Sequence, residues 1–91
     1  MKVCRKVKVK NAGGLHTRPA SYIVRLLQAA HSSVFFTCRK EKVNAKSIMS
    51  LLTLAASKNS VILIEAEGSD AVSVVTELEK AFEQKFWESG E

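Results

Sequence analysis

The chain has 91 residues, 46% of them hydrophobic and 25% charged, with a net charge of +5. That is enough for one small core and too little for two. The apolar fraction excludes global disorder, and no apolar run approaches the ~20 residues that span a bilayer.

Residues 3–9, VCRKVKV, alternate roughly between apolar and basic. Val3, Val7 and Val9 share a face, with Arg5 the exception, so a half-buried strand is predicted. The start, MKVCRKVKVK, is too charged and interrupted for a signal peptide, and a cytoplasmic protein is expected. NAGG then breaks the pattern, because Asn and Gly favour turns.

A helix is predicted from about residue 17. Ala20, Ile23, Leu27 and Ala30 recur at helical steps, with Leu26 beside them. Pro19 fits only a first turn, where N–H groups lack intrahelical partners, so His16 stands at or just before the helix start. Residues 33–38, SVFFTC, read as a second strand, RKEK as a polar turn and EKVNA as a short third strand. Residues 47–54, SIMSLLTL, suit a short helix with Ser47 as its N-cap. SKNS is a turn in which Asn59 accepts the left-handed conformation. Residues 61–66, VILIEA, form the clearest strand. EGSD offers Ser69 or Asp70 as cap for a last helix running from about 70 into the eighties. Its buried stripe is read as Val72, Val75, Leu78 and Phe82, with Phe86 continuing it. The order β-α-β-β-α-β-α predicts an α+β fold with a mixed or antiparallel sheet and helices on one face.

Cys4 and Cys38 lack metal-ligand spacing and read as free thiols. Basic charge gathers at the front, in Lys2, Arg5, Lys6, Lys8 and Lys10, then Arg39, Lys40 and Lys42, while most acids lie in the last quarter. Such a balance suits acidic proteins, nucleic acid or membrane surfaces, although lysines on a solvated strand face are the plainer reading. A nucleic-acid-binding sheet needs strand aromatics on one face, and Phe35 and Phe36 point to opposite faces.

The chemistry concentrates in NAGGLHTRPAS, residues 11–21. A helix N-terminus carries unpaired N–H groups and about half a positive charge, which together favour an anion. Glycines allow close backbone approach, and Arg18 adds a planar donor fork suited to phosphate oxygens. A neutral imidazole nitrogen is a nucleophile able to hold a covalent group. Phosphorylated, His16 would place its own anion in an anion site. A histidine here is equally at home as a plain polar cap, and the pattern alone leaves both open. His31, near the end of the first helix, reads as structural or surface.

GLHTRPA, residues 14–20, resembles the active-site motif of the HPr family, the histidine-containing phosphocarriers of the bacterial sugar phosphotransferase system. VNAKSIMSLLTL, residues 43–54, resembles the same family's motif around a regulatory serine, and AEG, residues 66–68, also fits. The match runs from about residue 3 to 84, which implies one HPr-like domain over residues 1–91 with a short tail, 85–91.

The resemblance implies an open-faced β-sandwich, a four-stranded antiparallel sheet covered by three helices. It implies that His16 takes a phosphoryl group on Nδ1 from phospho-enzyme I and passes it to a IIA domain, with Arg18 as helper. The backbone of Thr17 and Arg18 would steady the phosphate. Ser47 matches the serine that an ATP-dependent kinase modifies in some bacteria. Thr17, Ser21, Arg25, Ile48, Met49 and Leu52 match partner contacts. Implied partners are enzyme I, IIA domains, a serine kinase/phosphorylase and a transcriptional regulator, met by a monomer without nucleic acid or membrane insertion. No cofactor or metal is implied. The carrier has no donor site of its own and is not an autonomous enzyme. The rival reading is a regulatory module, including a nitrogen-branch carrier, that binds partners without sugar-transport flux. Ser50, Ala55 and Asn59 stand where many members have Gly, and the chain is more basic than is typical.

Overall fold

A computed structural model describes residues 1–85. The elements are β1 (Lys2–Lys8), α1 (Thr17–Leu27), β2 (Ser33–Cys38), β3 (Glu41–Asn44), α2 (Ile48–Leu54), β4 (Val61–Glu67) and α3 (Ala71–Gln84). The strands make one sheet in the order β1-β4-β2-β3, every neighbouring pair antiparallel. Three helices complete an open-faced β-sandwich, the architecture expected. The extents of 33 × 31 × 21 Å fit two layers.

Strand alternation decides which side is covered. Val34, Phe36 and Cys38 of β2 and Ile62, Ile64 and Ala66 of β4 are buried. Against them lie Ile23 and Leu27 of α1, Leu51 of α2, and Val75, Leu78 and Phe82 of α3, all fully or nearly fully buried. Side chains of this size contribute about 1.5–3 kcal/mol each on burial. The Phe36 and Phe82 rings meet edge-on at 6.0 Å, joining sheet to α3.

Register explains Arg5. It lies opposite Ile64, on the helical side, where its guanidinium pairs with Glu79 of α3 at 3.9 Å. Cys4 and Lys6 point to the other side, with Glu65 and Leu63 as their partners in register. There Glu65 bridges Lys2 and Lys42 at 3.3 and 3.4 Å. The Lys2 hydrogen bond, before all else, holds the Glu65 carboxyl below the usual carboxylate range. Phe35 and Phe36 face opposite sides as expected: Phe36 is buried, and Phe35 lies beneath the Lys42 ammonium.

Three expectations need correction. Val72 is 52% exposed, and the α3 stripe is Ala71, Val74, Val75, Leu78, Ala81 and Phe82. Ala30 lies beyond α1, which tightens out through Gln28 N–H to Arg25 O and Ala30 N–H to Leu27 O. Asp70 occupies the N-cap position of α3 without a capping bond, because its carboxylate turns to the loop before β2. It accepts from the His31 and Ser32 backbone N–H groups and from the Ser32 hydroxyl. Phe86 and the rest of the expected tail beyond Lys85 lie outside the described residues.

The turns carry unusual residues. Asn59 is left-handed (φ 75°) as expected, and so are Arg39 (φ 50°), Lys40 (φ 70°) and Ala55 (φ 52°). A left-handed residue with a Cβ costs about 1–2 kcal/mol. Cys4 is exposed and Cys38 buried, both free. Among the described residues, no helix is long and apolar enough to cross a membrane.

Candidate functional site

The site is built on the loop from Asn11 to His16. Asn11 is buried, and its side-chain amide donates to Gly14 O while Gly14 N–H donates back to Asn11 O at 3.1 Å. Gly14 is left-handed (φ 68°), and a Cβ there would run into Ala56 O. The next residue uses that same carbonyl: Leu15 N–H donates to Ala56 O at 2.8 Å. The loop is thus clamped to the chain leaving α2, with Leu15 driven into the core.

This clamp delivers His16 to the N-cap of α1 in extended conformation (φ −86°, ψ −166°), without a side-chain capping bond. Its carbonyl takes the first helical bond, from Ala20 N–H at 3.0 Å. Pro19 lacks an N–H and is buried. The donors in the first turn without an intrahelical carbonyl are therefore those of Thr17 and Arg18. Thr17, Arg18 and His16 are all exposed.

The imidazole lies on Gly13. A Cβ there would stand 2.8 Å from Cδ2 and 3.0 Å from Nε2, with Cγ next at 3.6 Å. The ring rests on its Cδ2–Nε2 edge, so Nδ1 is turned from the glycine. Beside it opens a depression of about 290 Å³ lined by Gly13, Leu15, His16, Leu52, Ala55, Ala56 and Ser57.

Ser47 is the N-cap of α2 as expected, and its hydroxyl accepts from Ser50 N–H at 3.3 Å. It heads the end of α2 opposite Ala55, so the His16 depression adjoins the last turn of α2 and not its start. Leu51 and Leu54 are core, Ile48 and Leu52 half-buried, and Met49 is 69% exposed. Ser21 is half-buried, and exposed Arg25 lines a second open depression with Tyr22 and Leu26.

The sequence signal missed Asn11 and the Ala55–Ser57 segment. Asn11 carries a cue in hindsight, an amide just before Ala-Gly-Gly. Ala55–Ser57 carries none, since its part lies in backbone carbonyl position.

The family profile described as "PTS HPr component phosphorylation site" matches residues 3–84. The chain belongs to the HPr family of the phosphotransferase system. It is 41% identical over 80 residues to the phosphocarrier protein HPr of Chlamydia pneumoniae, covering 88% of this chain and 74% of that one. It is 36% identical over 86 residues to the HPr of Treponema pallidum, covering 94% and 98%. Among solved structures, HPr-C-His from Thermoanaerobacter tengcongensis superposes with a TM-score of 0.90 at 34% identity, covering 96% of this chain and 98% of that one. The HPr of Bacillus anthracis gives 0.85 at 36% identity, covering 89% and 96%.

Proposed function

We propose that His16 is the residue that carries the phosphoryl group, received from phospho-enzyme I and handed to a IIA domain. The observation that carries this reading is the placement of the ring: at the helix N-cap, uncommitted to capping, and resting on Gly13 by its Cδ2–Nε2 edge. In the required tautomer Nε2 holds the proton and the Nδ1 lone pair attacks phosphorus. The P–N bond forms as the donor's bond to phosphorus breaks, and the bonding pair returns to the donor. The N–H groups of Thr17 and Arg18 and the Arg18 guanidinium supply positive charge to the phosphoryl oxygens. The return step is the same displacement with a IIA nucleophile.

Thr17, Ser21 and Arg25 on α1 and Ile48, Met49 and Leu52 on α2 serve as the docking surface. An exposed methionine beside half-buried aliphatics suits contact with more than one partner. Ser47 serves as a modifiable brake. A phosphate there adds about −1.5 to −2 charge to this surface and repels an acidic partner with little change in fold.

Incubation with phosphoenolpyruvate and enzyme I tests the reading. Wild type is expected to gain an acid-labile, base-stable phosphoryl adduct, and His16→Ala none. A folded wild type without adduct defeats it. For the brake, Ser47→Asp is expected to slow transfer from enzyme I about ten-fold at low salt. Equal rates there would count against it.

A further inference from the structure

The β2–β3 turn is built against its own local preference. Cys38 pairs with Glu41, so the loop is Arg39-Lys40 alone, with φ of 50° and 70°. Positive φ at both central residues defines a tight turn for which Asn-Gly is the favoured pair. Neither Arg nor Lys has an intrinsic preference for that conformation. Strain kept at a defined position points to use of what the residues present.

What they present is positive charge, Arg39 reaching the rim of the depression that His16 lines. Both residues are exposed. The Arg39 guanidinium donates to Ala55 O at 3.4 Å, and Ala55 lines the depression that holds His16. The turn is thus tethered to the rim of the site. Carboxylates are scarce nearby in the chain: Glu41 is the only acid in residues 1–64, against twelve Lys and Arg.

We propose that the Arg39-Lys40 turn is a docking prong for a carboxylate cluster on the protein that exchanges phosphoryl groups with His16. The proposal rests on the carrier reading of His16. A protein occupant is favoured over nucleic acid because neither the turn nor the lining of the depression offers a Phe, Tyr or Trp face for base stacking, and the His16 ring there is taken by the carrier chemistry. A charge pair held in fixed geometry sets partner choice and the rate of encounter more than the chemical step.

The test is the double variant Arg39→Asn/Lys40→Gly, which restores the favoured turn and removes both charges. It is assayed with enzyme I encoded in the same genome and phosphoenolpyruvate radiolabelled in its phosphoryl group. The variant is expected to melt several degrees higher than wild type. Its KM as substrate of enzyme I is expected to rise about five-fold at low salt with kcat unchanged, the gap closing at high salt. Arg39→Lys, which keeps the charge, is expected to stay near wild type. A double variant that is more stable and docks as well as wild type overturns the prong while leaving the carrier reading intact. Wild type that takes up no phosphoryl group overturns the carrier reading, and the prong with it. Wild type that retards single-stranded polyuridylate, with the double variant failing to, gives the surface to nucleic acid and overturns the proposal.

Discussion

Gly13 is the residue on which the His16 imidazole sits. Any Cβ there would press Cδ2 and Nε2 from 2.8 and 3.0 Å, so the ring would have to swing away. Gly13→Ala is therefore expected to cut phosphoryl uptake about ten-fold or more, since a displacement near 1 Å can cost 10²-fold. Gly13 is exposed and its φ is not left-handed, so the melting temperature should barely move. Comparing labelled uptake with thermal unfolding checks both halves. The place of His16 at the start of α1 was legible because Pro19 fits a helix only in its first turn, whereas the pattern alone left the chemical role of His16 and Arg18 open. Asn11 was not, because a buried amide bracing a loop looks in sequence like any turn residue.

The helices show where an element's limits come from its neighbours. Gln28, Ala29 and Ala30 are acceptable helix residues, and nothing in them announces the end of α1. The chain stops there because Asp70, forty residues on, captures the backbone of His31 and Ser32. Gly68 helps, since a Cβ at its φ of 153° would press into Ser32. The Asp70 carboxyl is held at about 2, first by the Ser32 hydroxyl and next by the His31 amide. In the unfolded chain it titrates near 3.8. A depressed acid contributes its full stability above its unfolded pKa and loses it as pH falls through the folded one. Asp70→Asn is thus expected to be less stable than wild type at neutral pH, the difference vanishing towards pH ~2. Urea midpoints across that range measure it. The β4 strand was plain from its apolar run bounded by turns. The α3 stripe was misread at Val72 because Ala71 and Ala81, small and weakly hydrophobic, hold the true register.

At the scale of the whole molecule, charge is sorted along the chain. Basic residues dominate the first 64 positions, and eight of nine acids follow them. Part of this asymmetry is spent internally, as Arg5 and Lys10 of the first segment meet Glu79 and Glu83 of α3. Arg18, Arg25, Lys46 and Lys58 lie in two segments, residues 11–40 and 42–64, without a single carboxylate. On the proposed carrier reading, such an excess of positive charge would steer an acidic partner into encounter. Bimolecular transfer from enzyme I to wild type is expected to slow about ten-fold from low to ~0.5 M salt, while single-turnover chemistry in the preformed complex stays constant. Stopped-flow measurement separates the two. A mixed or antiparallel sheet with helices on one face was legible from alternation and element order, and the choice of antiparallel came from the motif resemblance. The strained turns were not, because Arg39, Lys40 and Ala55 hold conformations their own types disfavour.

The two cysteines differ in a way an experimenter can use. Cys38 is sealed in the core, and Cys4 stands exposed on the strand face turned from the helices. A thiol-reactive dye should therefore attach at one position on the native protein, leaving the histidine side uncovered. Encounter with the partners proposed for His16 becomes readable by fluorescence on the unaltered sequence.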